Sequence, residues 1–457
     1  MKKIMAALAV LLLVVCAYAV GLMQSRKVIS IPPAQWTEGS DAADAWREFT
    51  TSLEAGGASV FSAAATSKDQ LEGVQYLAQL ASAALEMKLA KGDQAEPAFT
   101  DWMGDYRKFL GDSPDAVYHT AELSAKYRYE IKGNRGDAEY LGFMLYGNQL
   151  NGWNRAAANI SSENMTFDDE GNFSILLSQS QPRDWPGDWL QLESDVHMVM
   201  VRQYFHGKQG KAESRFNIRN LDAPEYQPPS ESDVAASLRN ATSFFNDTLN
   251  GAIALGSMLS QAPNKADPPK AYSPEFGGVF YPTFDNEYFG SWFYLEDDEA
   301  LVIEAEVPDA DYWSVSIQNR WMQSLDYKHY QVGLNNHQIT QTDGRYRVIV
   351  SHKKPPSGDW IDTAGQREGL LAIRYQLTQD SEKPALSLVK FSELAPYKAE
   401  EEGAALVGST KDEYGCISSA GYRWCEKSGQ CERSWELAER ESIENTKEAF
   451  NAFCELK

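Results

Sequence analysis

Apolar residues recur at three- and four-residue steps along Glu231 to Gln261, which places Val234, Leu238, Ala241, Phe245 and Leu249 on one side of a predicted helix. Lys68 to Lys91 repeats the pattern with Leu71, Val74, Leu77, Ala81, Ala84 and Leu85, and Asp41 to Leu53 reads as a shorter amphipathic helix. A third early helix is predicted over Ala98 to Leu110, its Trp102, Tyr106 and Phe109 forming an aromatic stripe for a core. From Tyr118 the pattern changes to short runs bounded by Gly, Asn, Asp or Pro: Tyr127 to Ile131, Tyr140 to Leu145, Met165 to Phe167, Phe173 to Leu177 and Val196 to Phe205. These are strands, and DDEG at 168–171 and TDG at 342–344 are hairpin turns whose Gly tolerates positive φ. Pro-rich stretches, Ala223–Ser230 and Ala262–Pro274, bracket the long helix. Lys398 to Ser409 is an acidic linker, and Ser434 to Phe453 is predicted as a terminal helix.

The β material occurs twice. Asp137-Ala138-Glu139-Tyr140 returns as Asp309-Ala310-Asp311-Tyr312, and the segment Gly171 to Ser178 as Gly344 to Ser351. Asp188-Trp189 returns as Asp359-Trp360, and Arg202 as Arg374, all at nearly one offset. The fold class that follows is mainly β with α segments: two related jelly-roll or β-sandwich modules at 115–207 and 284–395. A helical cap (28–114) precedes them, a helical connector (208–283) joins them, and a Cys-rich module (396–457) follows.

Composition bears on compartment and partners. Over 457 residues, 42 Lys+Arg against 65 Asp+Glu leave a net charge of −23, which disfavours nucleic acid and anionic membrane surfaces as main partners. Lys2 and Lys3 precede an apolar run, Ile4 to Met23, containing Ala17-Tyr18-Ala19, so residues 1–27 read as a cleaved signal or as an N-terminal membrane anchor. Val15 before Cys16 argues against lipidation. Either way the bulk of the chain is expected outside the cytoplasm, on the periplasmic or extracellular side. The sequons at Asn159, Asn164, Asn172, Asn240 and Asn246 matter only in a glycosylating host. Cys416, Cys425, Cys431 and Cys454 crowd the C-terminus without zinc-ligand spacing, which predicts two disulfides with three pairings open.

The chain lacks a nucleophile elbow, a phosphate-binding glycine loop, a dinucleotide fingerprint and an H-E-x-x-H helix. Its six histidines (His119, His197, His206, His329, His337, His352) are scattered, so neither metal nor cofactor is expected. Residues shared by both modules are read as structural: Asp188 and Asp359 capping turns, Trp189 and Trp360 packing sheet edges, Arg202 and Arg374 pairing with carboxylates. Residues found in one module are the site candidates. Along Tyr312 to Trp321, alternation puts Trp313, Val315, Ile317 and Trp321 on one face and Tyr312, Ser314, Ser316, Gln318 and Arg320 on the other. With Asn335, Asn336 and His337, the second face is a candidate pocket for a carboxylate or a sugar. A glycosidase would instead need two converging carboxylates, with Glu287, Glu296, Asp359 and Asp362 on offer.

EALVIEAEVPDADYWSVSIQNRWMQSLDY, LNNHQ, DGRYRVIVSH and DWIDTAGQREG closely resemble the bacterial domain of unknown function 1214. EGVQYL (72–77), SPDAVYHTAEL (113–123), YEIKGNRG (129–136), DWLQL and VRQYF extend the resemblance over roughly residues 36 to 395. It departs at Ser113 and Ala116, where the family has Asn, and at Val74-Gln75, where it has Tyr-Arg, which weakens any site those positions serve. The resemblance implies jelly-roll-type β domains and no established activity. GCISSAGYRWCEKSGQCERSWE is similar to a Cys-rich module at the ends of other exported bacterial proteins. The expectation is an exported envelope protein that binds a small polar or carbohydrate-like ligand, or serves assembly, without catalysis. The alternative is an extracytoplasmic hydrolase of a glycan or ester.

Overall fold

The computed structural model describes residues 39–90, 93–148, 154–265, 281, 283–378 and 381–394, and near the C-terminus 414, 416, 422–441, 443 and 446–454. The predicted signal or anchor (4–23) and the acidic linker lie outside the described residues. Two compact units form, 1–391 and 392–457.

In the first unit, α1 (Asp41–Ala63) is capped by Ser40, whose hydroxyl accepts from Ala43 N at 3.3 Å. It runs ten residues past the predicted end at Leu53, straight through Gly56-Gly57. Gly56 packs under Phe245, whose ring atoms would stand 3.0 Å from a Cβ there, so the glycine serves close helix approach and not a break. Thr66 and Asp69 form a capping box for α2 (Ser67–Leu85), which widens into a π turn at Glu86–Ala90. A second box, Ser230 with Asp233, starts α3 (Glu231–Leu259), and its Arg239 pairs with Asp41 at 2.6 Å and Glu48 at 3.2 Å across to α1. The helix predicted over Ala98 to Leu110 does not form. A two-residue strand β1 (Thr100–Asp101) is followed by turns, and Leu110 and Gly111 take φ of 52° and 78°. Trp102 and Phe109 are buried but Tyr106 is exposed, so the three rings share no face.

The first module contains β2 (Ala116–Glu122), β3 (Tyr129–Asn134), β4 (Tyr140–Asn148), β5 (Asn154–Ser161), β6 (Asn172–Ser178), β7 (Asp188–Gln191), β8 (Val196–Tyr204) and β9 (Arg215–Asn220). Met165–Phe167, predicted as a strand, lies outside these. The second module contains β10 (Asn286–Tyr294), β11 (Glu299–Glu306), β12 (Trp313–Gln318), β13 (Gly333–Asn335), β14 (Gln341–Thr342), β15 (Arg345–Ser351), β16 (Asp359–Asp362), β17 (Glu368–Gln376) and β18 (Ala385–Lys390). One sheet of the first module runs β1-β2-β8-β4-β5 and the other β7-β6-β3-β9. The second repeats both orders with β10-β17-β12-β13 and with β16-β15-β11-β18, where β14 also flanks β15. Even the parallel pairing of β6 with β7 recurs in β15 with β16. Each module is thus a two-sheet sandwich, as the repeat implies.

Period-two alternation divides each strand between two cores. Leu141, Phe143, Val199 and Val201 fill the first sandwich, and Val315, Ile317, Leu371 and Ile373 fill the second. The opposite faces of β8 and β17 leave the sandwiches. Met198, Met200 and Tyr204 from one, Leu370 from the other, and Tyr76, Leu80, Phe245 and Leu249 from the helices join in a third, central cluster.

In the C-terminal unit, β19 (Tyr422–Cys425) and β20 (Gln430–Arg433) form a hairpin. The predicted terminal helix is two, α4 (Ser434–Glu441) and α5 (Lys447–Cys454). Of the three pairings, Cys416–Cys431 and Cys425–Cys454 form. Cys425 and Cys454 pack with Leu437 and Phe450 in a small core. Among the described residues no helix is long and apolar enough to cross a membrane. Two disulfides are the mark of an oxidising, extracytoplasmic compartment.

Candidate functional site

The outward faces of β8 and β17 carry Met200-x-Arg202-x-Tyr204 and Leu370-x-Ala372-x-Arg374, and all six side chains line one cavity of about 430 Å³. That volume falls in the lower range of small-molecule sites. Register repeats between the modules here as well. Arg202 stands opposite Tyr118 of β2, and Arg374 stands opposite Tyr288 of β10, and both tyrosines line the cavity. The repeat therefore delivers one Tyr–Arg pair from each module to a shared interior.

Both arginines are deeply buried, 7% and 4% exposed. Arg202 donates to the Tyr146 hydroxyl at 2.8 Å and to the Tyr281 carbonyl at 3.2 Å. Arg374 donates to Ser316 Oγ at 3.1 Å and to the Gly111 carbonyl. These partners are neutral, and among the described residues neither guanidinium forms an ion pair with a carboxylate. The expectation that Arg202 and Arg374 pair with carboxylates is corrected. The nearby acids act on the arginines without bonding them directly: Asp112, near Arg374, accepts from Ser324 N at 2.8 Å and Ser324 Oγ at 2.5 Å, and Asp285, near Arg202, accepts from the Tyr140 hydroxyl. Glu287 lines the cavity, and its carboxylate accepts from Thr378 Oγ1 at 2.7 Å.

Burial works against the charge of both guanidiniums, while the surrounding phenols and, at Arg202, the Asp285 carboxylate act the other way; the net shift is upward, so both stay cationic. Burial pushes the Tyr118 and Tyr204 hydroxyls up, which keeps them neutral donors. Further capacity is unspent. Thr283 Oγ1 and both amide atoms of Asn286 are buried without a hydrogen-bond partner, and both residues line the cavity. Trp102, Met103, Leu110, Phe289 and Met322 supply apolar wall.

The six residues expected to bind a ligand lie elsewhere, bonded to other parts of the protein. Tyr312 and Asn335 both donate to Asp115 Oδ2, at 2.9 and 3.0 Å. Asn336 donates to the Asp311 carbonyl at 2.9 Å, and His206 Nε2 lies 3.0 Å from its Oδ1. His337 stacks on His206 with centroids 3.5 Å apart. Gln318 donates to the Asp112 carbonyl at 3.1 Å. Arg320 pairs with Glu368, which also accepts from Trp292 Nε1 at 2.9 Å. Arg320 thus pairs within its own module, the others join the second module to the first and to its preceding loop, and none lines the cavity. Alternation sorts Trp313, Val315 and Ile317 into the sandwich core, but Trp321, past the strand end, stacks on Tyr76 in the central cluster.

The shared Asp-Trp pairs make the same contacts twice. Asp188 accepts from Thr166 N and Oγ1 at 2.8 and 3.0 Å, and Asp359 from Thr340 N and Oγ1 at 2.6 and 3.3 Å. Trp189 donates to Ser178 Oγ at 2.9 Å and Trp360 to the Ser351 carbonyl at 3.2 Å. The acids offered for a hydrolase do not converge. Glu287 alone lines the cavity, Glu296 pairs with Arg367, and Asp359 and Asp362 belong to β16 of the other sheet. Among the described residues no group of three His, Cys, Asp or Glu is placed to hold a metal.

Residues 117–207 and 279–380 each match the family described as Protein of unknown function (DUF1214). The two matches fall on the first and the second β module. The two DUF1214 segments contain β8 and β17, and so both cavity arginines. A crystal structure of an uncharacterized protein from Burkholderia cenocepacia is 27% identical, with a TM-score of 0.70, and the match covers 77% of this chain and 98% of that one. The VPA0106 protein from Vibrio parahaemolyticus matches at 14% identity over 69% of this chain and 97% of that one, with a TM-score of 0.40. No curated protein matches the chain in sequence.

The residues missed by sequence reasoning are Tyr118, Tyr204, Tyr288, Thr283 and Asn286. A signal existed in the cross-strand partners of the repeated arginines: VYHTAE and EYFGSW each carry a tyrosine on the module's first strand.

Proposed function

We propose that the protein is an exported, non-catalytic binding protein that holds a small molecule in the cavity between its two sandwiches. The observation that carries this reading is the interior itself. A space of about 430 Å³ contains Thr283 and Asn286 polar atoms without partners. Buried polar atoms left unsatisfied cost about 1–3 kcal/mol each, a cost a bound molecule would remove. The absence of converging carboxylates around this space favours binding over hydrolysis. Export rests on the disulfides together with the basic and apolar N-terminal segment, which is either removed or kept as a tether to the inner membrane.

The test is a thermal-shift screen of residues 28–457 against sugars, organic acids, lipids and metals, run beside Ala372→Trp, which fills the cavity from β17. A ligand that binds the native state raises the melting temperature by mass action. The reading expects a hit that Ala372→Trp removes. A hit that survives the filled cavity would move the site elsewhere, and stabilisation by self-association alone would support the assembly role.

A further inference from the structure

We infer that the ligand of this cavity is an amphipathic organic acid, its carboxylate gripped between Arg202 and Arg374 and its apolar body lying against Trp102, Phe289 and Met322. This inference rests on the binding reading above and adds the chemical class. Its basis is the charge inventory. A guanidinium taken out of water without a counter-charge is strongly unfavourable, and proteins pair such groups or leave them to a ligand. Here two are buried in one space, with the carboxylates of Asp285 and Asp112 near enough to act on Arg202 and Arg374, yet the groups that they hydrogen-bond directly are a phenol, a hydroxyl and two carbonyls. A ligand carboxylate would give the forks the direct ionic partner that the protein does not, and it matches the planar geometry of either guanidinium.

The tyrosines extend the same logic. Tyr118 and Tyr204 line the same space as both arginines, and their neutral hydroxyls are donors from which a carboxylate oxygen can accept. A sugar is the poorer fit. Its neutral hydroxyls would give neither guanidinium a direct ionic partner and would leave the apolar wall uncovered.

Isothermal titration of the exported chain tests this with five probes: octanoate, 3-phenylpropanoate, the uncharged amide of each, and octyl phosphate. The acids should bind at least tenfold more tightly than their amides. Arg374→Gln and Arg202→Gln should each weaken acid binding about tenfold or more and leave amide binding unchanged, a split that a merely structural role would not produce. Arg374→Lys, which keeps the charge but not the fork, should fall between wild type and Gln, and it carries the test where a Gln variant does not fold. Equal affinity for acid and amide, both lost in Ala372→Trp, would overturn the acid and leave the cavity reading standing. Tighter binding of octyl phosphate than of octanoate would replace the carboxylate by a phosphate ester. Failure of all five probes with wild type, alongside thermal-shift hits from another class, would also overturn the inference.

Discussion

Gly73 on α2 has no room for a methyl group. A Cβ there would lie 2.3 Å from Val60 Cγ1 and 2.9 Å from Trp321 Cζ2, so α1, α2 and the second module meet over a bare backbone. Gly73→Ala should therefore cost about 1–3 kcal/mol, measured as a lower urea midpoint. A second residue-scale expectation concerns pH. Burial holds the imidazoles of His119, His197 and His337 below their ordinary value, with His206 adding to the effect at His337. Stability from such groups is in place above the unfolded value of about 6.5 and is lost as pH falls from there toward the lowered folded values. The urea midpoint should fall between pH 7.5 and 5.5, and His197→Gln should flatten part of that slope. An unchanged midpoint would show that these rings are not held neutral by the fold. Arg202 and Arg374 were legible as a repeated pair, but their role was not. Sharing between modules suggests a demand of the fold only while each module is considered alone, and here the two copies face one space.

At the scale of elements, the corner built by Asp188 with Thr166 recurs as Asp359 with Thr340. Each carboxylate takes a backbone N–H and a hydroxyl, so Asp188→Ala and Asp359→Ala should each cost about 1–3 kcal/mol by chemical denaturation. A large cost in one module and none in the other would deny the equivalence. The helix α3 was readable because packing and capping agree with the pattern, whereas α2 forms as predicted but turns another face inward, burying Gly73, Tyr76 and Leu80 and leaving Leu71 and Val74 exposed. Ala98–Leu110 was not, because Tyr106 faces solvent while Trp102 and Phe109 point inward. The predicted ligand face of β12 is polar for another reason than binding. Ser316 receives Arg374, Gln318 holds the Asp112 carbonyl, and Tyr312 holds Asp115. A strand whose polar face is covered by a partner element reads in sequence like one that faces water.

At the scale of the whole molecule, the two units should respond separately to reduction. Replacing Cys425 and Cys454 by Ser removes a disulfide that closes a 29-residue separation, which should cost the C-terminal unit about 2–4 kcal/mol. Hydrogen exchange should show lost protection around Leu437 and Phe450, with the strands of the first unit unchanged. The chain carries a net charge of −23, so an anionic ligand is repelled on approach. Its association rate should rise with ionic strength, whereas a neutral ligand's should not. Sequence reading reached the two related sandwiches through the repeat, but not the cavity, because no local pattern says that the outer faces of β8 and β17 share an interior. The most direct measurement is a crystal structure of the chain soaked with 3-(4-bromophenyl)propanoate, with the bromine located by its anomalous signal. The account predicts a bromine peak against the apolar wall near Met322, and a carboxylate within hydrogen-bond distance of Arg202 or Arg374. A bromine peak only outside the cavity, with water alone inside at a saturating concentration of the acid, would contradict it.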